Sequence, residues 1–176
     1  MKLKPLAMVA ILAASTLVFT ACSTKHNNAG AMSGVGGEEL GTLNSSGLGD
    51  SVSFNGDTSQ MSYEQLLDIK TYYFSFDSDQ ITANDRPAVI AQAHYLSSNA
   101  DKHVLLAGNT DSRGSREYNI ALGLRRAQAV ENLMLSNGAR KDQIMVTSYG
   151  EEKPVATGDT EMDYARNRRV DLTYEN

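Results

Sequence analysis

The stretch Val104-Leu105-Leu106-Ala107-Gly108-Asn109-Thr110-Asp111-Ser112-Arg113-Gly114-Ser115-Arg116-Glu117-Tyr118-Asn119-Ile120-Ala121-Leu122-Gly123-Leu124-Arg125-Arg126-Ala127 decides how this 176-residue chain is read. A short apolar run, a polar loop and a segment of helical periodicity follow one another, so the stretch reads as strand, loop, helix. Loops leaving strand ends are where α/β folds place their ligands. This one holds a carboxylate, Asp111, with guanidiniums at Arg113 and Arg116, and the helix adds Arg125 and Arg126. An acid suits an ammonium and an arginine suits a carboxylate, so the composition fits a zwitterion. A loop that is merely solvated has the same composition, and the rest of the chain must separate the two.

Working outward, the helix runs from about Ser115 to Ser136, with Ile120, Leu124, Ala127, Val130 and Met134 on one stripe and Asn137-Gly138 as its stop. Upstream, Thr71 to Phe76 is aromatic and β-prone and reads as a first strand closed by Asp77-Ser78-Asp79. Thr82 is an N-cap candidate for a helix through Val89, Ile90, Ala93, His94, Leu96 and Ser97, with Pro87 in its first turns. His103 to Ala107 is a second strand and Ile144 to Tyr149 a third. After the turn Gly150-Glu151-Glu152-Lys153-Pro154, a polar stretch leads to a short helix before Asn167. Arg169 to Tyr174 then alternates Val170, Leu172 and Tyr174, a fourth strand with one buried face. The order β-α-β-α-β-β predicts an α/β fold of the two-layer α+β kind. Its sheet is mixed and four-stranded with helices on one face, the crossovers give a parallel part, and the fourth strand joins antiparallel. Residues 64–176 are the expected domain.

The N-terminus reads differently. A basic start, Met-Lys-Leu-Lys, precedes an apolar run from Leu6 to Ala21 and then Cys22. The run is shorter than the roughly 20 residues a spanning helix needs, so residues 1–21 read as a secretory signal peptide. Cys22 is the only cysteine, which excludes an intramolecular disulfide. Its place after Thr20-Ala21 resembles the lipobox of bacterial lipoproteins, with Phe19 departing from the usual leucine, and so implies lipidation at Cys22. Ser23, where inner-membrane retention would use aspartate, resembles the signal for sorting to an outer membrane. Ordinary secretion with a free thiol is the alternative. Residues 22–63 then read as a lipidated N-terminus and a flexible tether, since residues 23–62 hold 8 of the 14 glycines and few apolar residues. Forty such residues span about 35 Å as a coil.

The net charge is −5, and removing residues 1–21 takes Lys2 and Lys4 with it. An acidic protein of this kind lacks the basic surface that nucleic acid needs. His26, His94 and His103 are scattered without acids or cysteines at ligand spacing, so neither a metal nor another cofactor is expected.

Four separated motifs carry a resemblance: Gly108 to Asp111 with Arg113-Gly114, Glu117-Tyr118-Asn119, Leu122-Gly123 and Arg125-Arg126-Ala127; Ser148-Tyr149-Gly150-Glu151-Glu152-Lys153-Pro154; Asn167-Arg168-Arg169-Val170; and Tyr73-Phe74-Ser75-Phe76-Asp77. Together they resemble the OmpA-like peptidoglycan-binding domain, over nearly all of residues 64–176. With the lipobox, the chain is most similar to that family's lipidated members in Gram-negative bacteria. The resemblance implies non-covalent binding of the peptidoglycan peptide stem at the free end of meso-diaminopimelate, where an ammonium and a carboxylate sit side by side. It implies Asp111 for the ammonium and Arg126 for the carboxylate, with Leu122, Arg113, Phe76 and Asp77 as further contacts. It also implies a lipid anchor in the outer membrane with the domain in the periplasm, and a part in the Tol envelope complex with the β-propeller TolB as partner. Asp111 pairing with Arg126 in an empty structural bridge is the plainer alternative. Arg125 reads as a solvated neighbour, Tyr118 and Asn119 as braces of the loop, and the roles of Arg166, Arg168 and Arg169 stay open.

Two other functions would draw on parts of the same pattern. A cell-wall hydrolase would use the carboxylates Asp77 and Asp111. Arginines around Asp111 would keep it ionised and unfit for general-acid work, and no serine, cysteine or histidine set suits acyl transfer, so a non-enzymatic role is expected. A flagellar-stator wall anchor would need a transmembrane helix, for which Leu6 to Ala21 is too short.

Overall fold

The charged loop leaves the second of four strands, and the sheet is ordered so that this strand lies inside it. In a computed structural model that describes residues 53–175, the strands are β1 (Thr71–Tyr73), β2 (His103–Asn109), β3 (Ile144–Gly150) and β4 (Arg169–Glu175). Their spatial order is β1-β4-β2-β3. β2 and β3 are parallel, joined by the long helix α3 (Arg116–Ser136), and β4 is antiparallel to both of its neighbours. The fourth strand thus enters between β1 and β2. Helices α1 (Tyr63–Asp68), α2 (Arg86–Ser98) and α4 (Glu161–Asn167) complete the domain. The expected signal peptide, Cys22 and most of the expected tether lie outside the described residues.

Alternation along the strands makes the two layers. Val104 and Leu106 of β2, Val170 and Leu172 of β4, Tyr72 of β1 and Ile144 of β3 are buried in one core with Val89, Ala93 and Leu96 of α2 and Ala127, Val130 and Met134 of α3. The other face is open, with Met145 56% exposed. Facing rows cross the sheet: Leu172, Leu106 and Val146 are in register, as are Tyr72, Val170, Gly108 and Ser148. The second row shrinks from tyrosine to glycine because α3 comes closest there. A Cβ on Gly108 would lie 1.8 Å from the Gly123 carbonyl oxygen, so both residues must lack side chains for α3 to rest on β2.

That contact also corrects the expected stripe of α3. Asn119, Leu122, Gly123 and Arg126 are buried ahead of Ala127, Val130 and Met134, while Leu124 is exposed. The glycine contact sets which face of α3 meets the sheet, and that face includes Arg126. Ser115 caps the helix as its sequence suggests, its hydroxyl accepting from the Tyr118 N–H at 3.2 Å.

Three boundaries differ from the sequence reading. β1 ends at Tyr73 rather than Phe76, because β4 begins at Arg169 and only the Phe74 N–H finds a further partner, the Arg168 carbonyl at 2.9 Å. α2 begins at Arg86, since Thr82 caps a turn ahead of it through the Asp85 N–H. Residues 53–63, read above as the end of the tether, lie on the domain: Phe54 packs on Tyr73 with ring centroids 4.6 Å apart. Asn55 donates to the Thr71 carbonyl and to Asp85, whose other oxygen accepts from the Tyr73 N–H at 2.9 Å. These groups satisfy the outer edge of β1 and keep it from pairing elsewhere.

Candidate functional site

β1, β2 and β4 bring three segments to one end of the sheet: the turn after β1, the loop after β2, and the entry to β4. Between them and α3 lies a cavity of about 200 Å³ lined by Phe76, Asp77, Thr110, Asp111, Arg113, Gly114, Tyr118, Asn119, Leu122, Arg126 and Arg168. All six residues singled out for ligand contact, Phe76, Asp77, Asp111, Arg113, Leu122 and Arg126, therefore meet at one place. Leu122 and Arg126 are one helical turn apart and share the face of α3 that closes the cavity floor.

Asp111 is 4% exposed. Its Oδ2 accepts from the Arg113 guanidinium at 2.7 Å and from Arg168 at 3.2 Å, and its Oδ1 accepts from the Arg113 backbone N–H at 3.1 Å. Burial pushes its carboxyl up, but the hydrogen bonds from Arg113 and Arg168 outweigh burial and hold it below the ordinary carboxylate range. It is ionised at neutral pH. One lone-pair direction of Oδ1 carries no protein donor.

Arg126 is fully buried, and its partners within the chain are backbone carbonyls. Its Nε donates to the Ser78 carbonyl at 2.7 Å, and its two terminal nitrogens donate to the Asn109 and Ser75 carbonyls at 3.1 Å each. Among the described residues no carboxylate lies within 4 Å of it, so the bridge to Asp111 weighed from sequence does not form. Burial first, then the neighbouring Arg168 charge, pull its guanidinium down to about 10. It is still charged at neutral pH. By holding Ser75 and Ser78 it also sets the turn that carries Asp77, which has φ +51, the left-handed region. Tyr118 reaches across to donate to the Asp77 carboxylate.

Arg113 ties the wall together. It lies between the rings of Phe76 and Tyr164, 4.2 and 4.4 Å from their centroids, and pairs with Asp111 and Glu161. Arg168 is the residue that sequence left open. It is 4% exposed, donates to the Phe74 carbonyl, and pairs with Asp111 and with Glu161 at 2.8 Å. Only its place in the Asn167-Arg168-Arg169-Val170 motif hinted at this. Arg125, by contrast, is half exposed beside Asp79. Arg169 is buried but binds Asp171 and the Lys153 carbonyl, outside the cavity. Asn119 donates to Glu151, and both it and Tyr118, read from sequence as braces of the loop, line the cavity.

Two buried atoms of the lining have no hydrogen-bond partner among the described residues, Thr110 Oγ1 and Arg113 Nε. Buried polar groups are almost always paired, so these two are open to water or to a polar ligand in the cavity. The site therefore offers an ionised acid with a free lone pair, an unneutralised guanidinium, an apolar wall and spare polar groups.

Residues 73–168 match the model of the OmpA family. The peptidoglycan-associated lipoprotein of Legionella pneumophila is 39% identical over 166 residues, covering 94% of this chain and 93% of that protein. The protein of that name from Pseudomonas aeruginosa is 38% identical over 164 residues, covering 93% and 94%. The crystal structure of the peptidoglycan-associated lipoprotein from Burkholderia pseudomallei superposes with a TM-score of 0.62 at 39% identity, covering 68% of this chain and 98% of that one. The C-terminal domain of Helicobacter pylori MotB, at 23% identity and a TM-score of 0.57, covers 61% of this chain and 85% of that domain and shares the fold.

Proposed function

The chain belongs to the OmpA family and, within it, to the peptidoglycan-associated lipoproteins; from that premise we propose that it is an outer-membrane lipoprotein whose domain binds peptidoglycan non-covalently at the free end of meso-diaminopimelate. The observation that carries the reading is Arg126: a buried guanidinium beside a cavity, with every carbonyl it touches neutral and, among the described residues, no carboxylate within 4 Å. Such a charge is costly to bury unpaired, and an incoming carboxylate removes that cost. In this reading Asp111 Oδ1 receives the ammonium on the same carbon, Leu122 and Phe76 flank the methylene chain, and the Asp77 turn supplies backbone contacts; the shared cavity supports it.

The role is attachment rather than catalysis. An Asp111 held ionised by two arginines is a poor proton donor, which argues against the hydrolase alternative. Lipid at Cys22 and the segment after it would join the outer membrane to a wall-bound periplasmic domain, two attachments that strengthen each other by effective concentration. We place the protein in the Tol envelope complex, with a TolB-like β-propeller as its protein partner and a part in envelope integrity and cell division. The exposed Phe76 and Tyr118 at the cavity rim are the surface such a partner would share with the wall.

Co-sedimentation with purified diaminopimelate-type peptidoglycan tests the reading. The unaltered protein pellets with the wall and Asp111→Asn stays in solution with its circular dichroism unchanged. Equal pelleting of the two would refute the site, and release of soluble fragments from the wall would refute the non-catalytic role.

A further inference from the structure

Asp111 does not meet its two arginines alone. Its Oδ2 accepts from Arg113 at 2.7 Å and from Arg168 at 3.2 Å, and both guanidiniums go on to Glu161, the first residue of α4. One oxygen of Glu161 takes Arg113 at 3.0 Å and the other takes Arg168 at 2.8 Å. The four side chains therefore close a ring in which negative and positive groups alternate, and its charges balance. The arginines of the ring are fixed. Arg113 is held between the Phe76 and Tyr164 rings, and Arg168 is buried with its Nε on the Phe74 carbonyl. Glu161 is placed differently: its side chain is 62% exposed, and it is not part of the cavity lining. A group there acts on a ligand through its charge and its neighbours, not by touching it.

We propose that Glu161 sets the preference of this cavity for an ammonium: it neutralises the second guanidinium beside Asp111 and so leaves Asp111 able to attract a cation. This rests on the wall-binding reading above and adds to it a positioning residue outside the cavity, acting through Arg113 and Arg168. Without Glu161, one carboxylate would face two guanidiniums, and an ammonium brought to Asp111 would meet a wall of net positive charge. With Glu161 the wall is neutral, and the short contact to Asp111 prevails. A ligand that lacks the ammonium is indifferent to this residue or gains from its loss, since a carboxylate is drawn to a more positive wall. Glu161 thus sorts ligands by removing a repulsion from one class of them.

Calorimetric titration of the purified full chain, unaltered and as Glu161→Gln, with two synthetic stem tripeptides tests this. One peptide ends in meso-diaminopimelate; in the other the free ammonium is replaced by hydrogen and the carboxylate beside it is kept. Glutamine preserves the size of the side chain and one acceptor while removing the charge. At low ionic strength the substitution should weaken binding of the ammonium peptide by about fivefold, a modest factor because Glu161 is exposed, and leave the other peptide unchanged or more tightly bound. Added salt should shrink the loss. An unfolded fraction lowers the stoichiometry for both peptides alike, so it cannot imitate a change confined to one. Equal weakening of both, no change in either, or a loss that persists at high salt would overturn the role of Glu161 while leaving wall binding intact. Failure of the unaltered protein to bind either peptide would overturn it together with the wall-binding reading it rests on.

Discussion

The two ends of the sheet treat buried polar groups in opposite ways. At the end where β2 begins and β4 finishes, Gln143 is fully buried; its amide donates to the Leu96, Asn99 and Lys102 carbonyls and its oxygen accepts from the Arg140 N–H. Gln92, equally buried, donates to the Leu67 and Ile69 carbonyls and accepts from the Tyr174 hydroxyl. At the end where β2 finishes and β4 begins, Asn109 Oδ1, Thr110 Oγ1 and Arg113 Nε find no partner among the described residues, and Arg126 has no counter-charge among them within 4 Å. Satisfied buried amides are what a fold needs for itself; unsatisfied groups around a cavity are what it keeps for something else.

Substitutions at each end sharpen this contrast. The largest effect is expected between the two ends, where Gly108→Ala would push a methyl group into the Gly123 carbonyl and separate α3 from β2. A loss of about 3 kcal/mol or more in urea unfolding, with wall binding gone, is the expected result. Next, Gln143→Leu at the satisfied end strips one bond from each of three carbonyls and takes the side-chain acceptor from the Arg140 N–H, and should cost about 2–3 kcal/mol while the folded fraction still binds the wall. At the open end, Asp111→Asn should cost about 1–2 kcal/mol at neutral pH and abolish wall binding. The sign with pH follows from its lowered folded-state value. Between that value and the unfolded one near 4, the folded protein binds fewer protons than the unfolded chain. The Asp111 contribution is therefore complete above about pH 4 and lost as the pH falls further, and Asp111→Asn should flatten the acid limb of a stability profile. The smallest effect is expected of Thr110→Val. It removes an unpartnered buried hydroxyl at nearly constant volume, so thermal unfolding should show stability unchanged or raised by up to about 1 kcal/mol. A loss of more than that would mean that the open end is satisfied after all.

Much of this was legible in the residues. Period-two alternation from Arg169 to Tyr174, the Asn137-Gly138 stop and the apolar run into Gly108 gave the strands and the long helix, since each depends on neighbours in sequence. The place of β4 between β1 and β2, and the inward turn of α3 at Arg126, depend on Gly108 meeting Gly123 across the layers, which no local period records. The same holds for the site. Asp111 stood out as an acid among arginines. Its partner in the fold, Arg168, lies 57 residues away along the chain, and Arg126 binds backbone carbonyls that have no signature in sequence. Residues 53–63 were read as tether from their composition, yet a few side chains, Phe54, Asn55 and Thr58, suffice to bind them to Tyr73, Asp85 and Asn84.

The most direct test of the central claim is amide chemical-shift mapping by NMR as a diaminopimelate-terminated stem peptide is added to the ¹⁵N-labelled protein. The account predicts shifts at Asp77, Thr110, Asp111, Arg113 and Leu122, with the Arg126 side-chain N–H signals moving most and those of Lys70, Gln92 and Gln143 still. Shifts gathered at the Gln92 and Gln143 end, with the Arg126 signals unmoved, would contradict it.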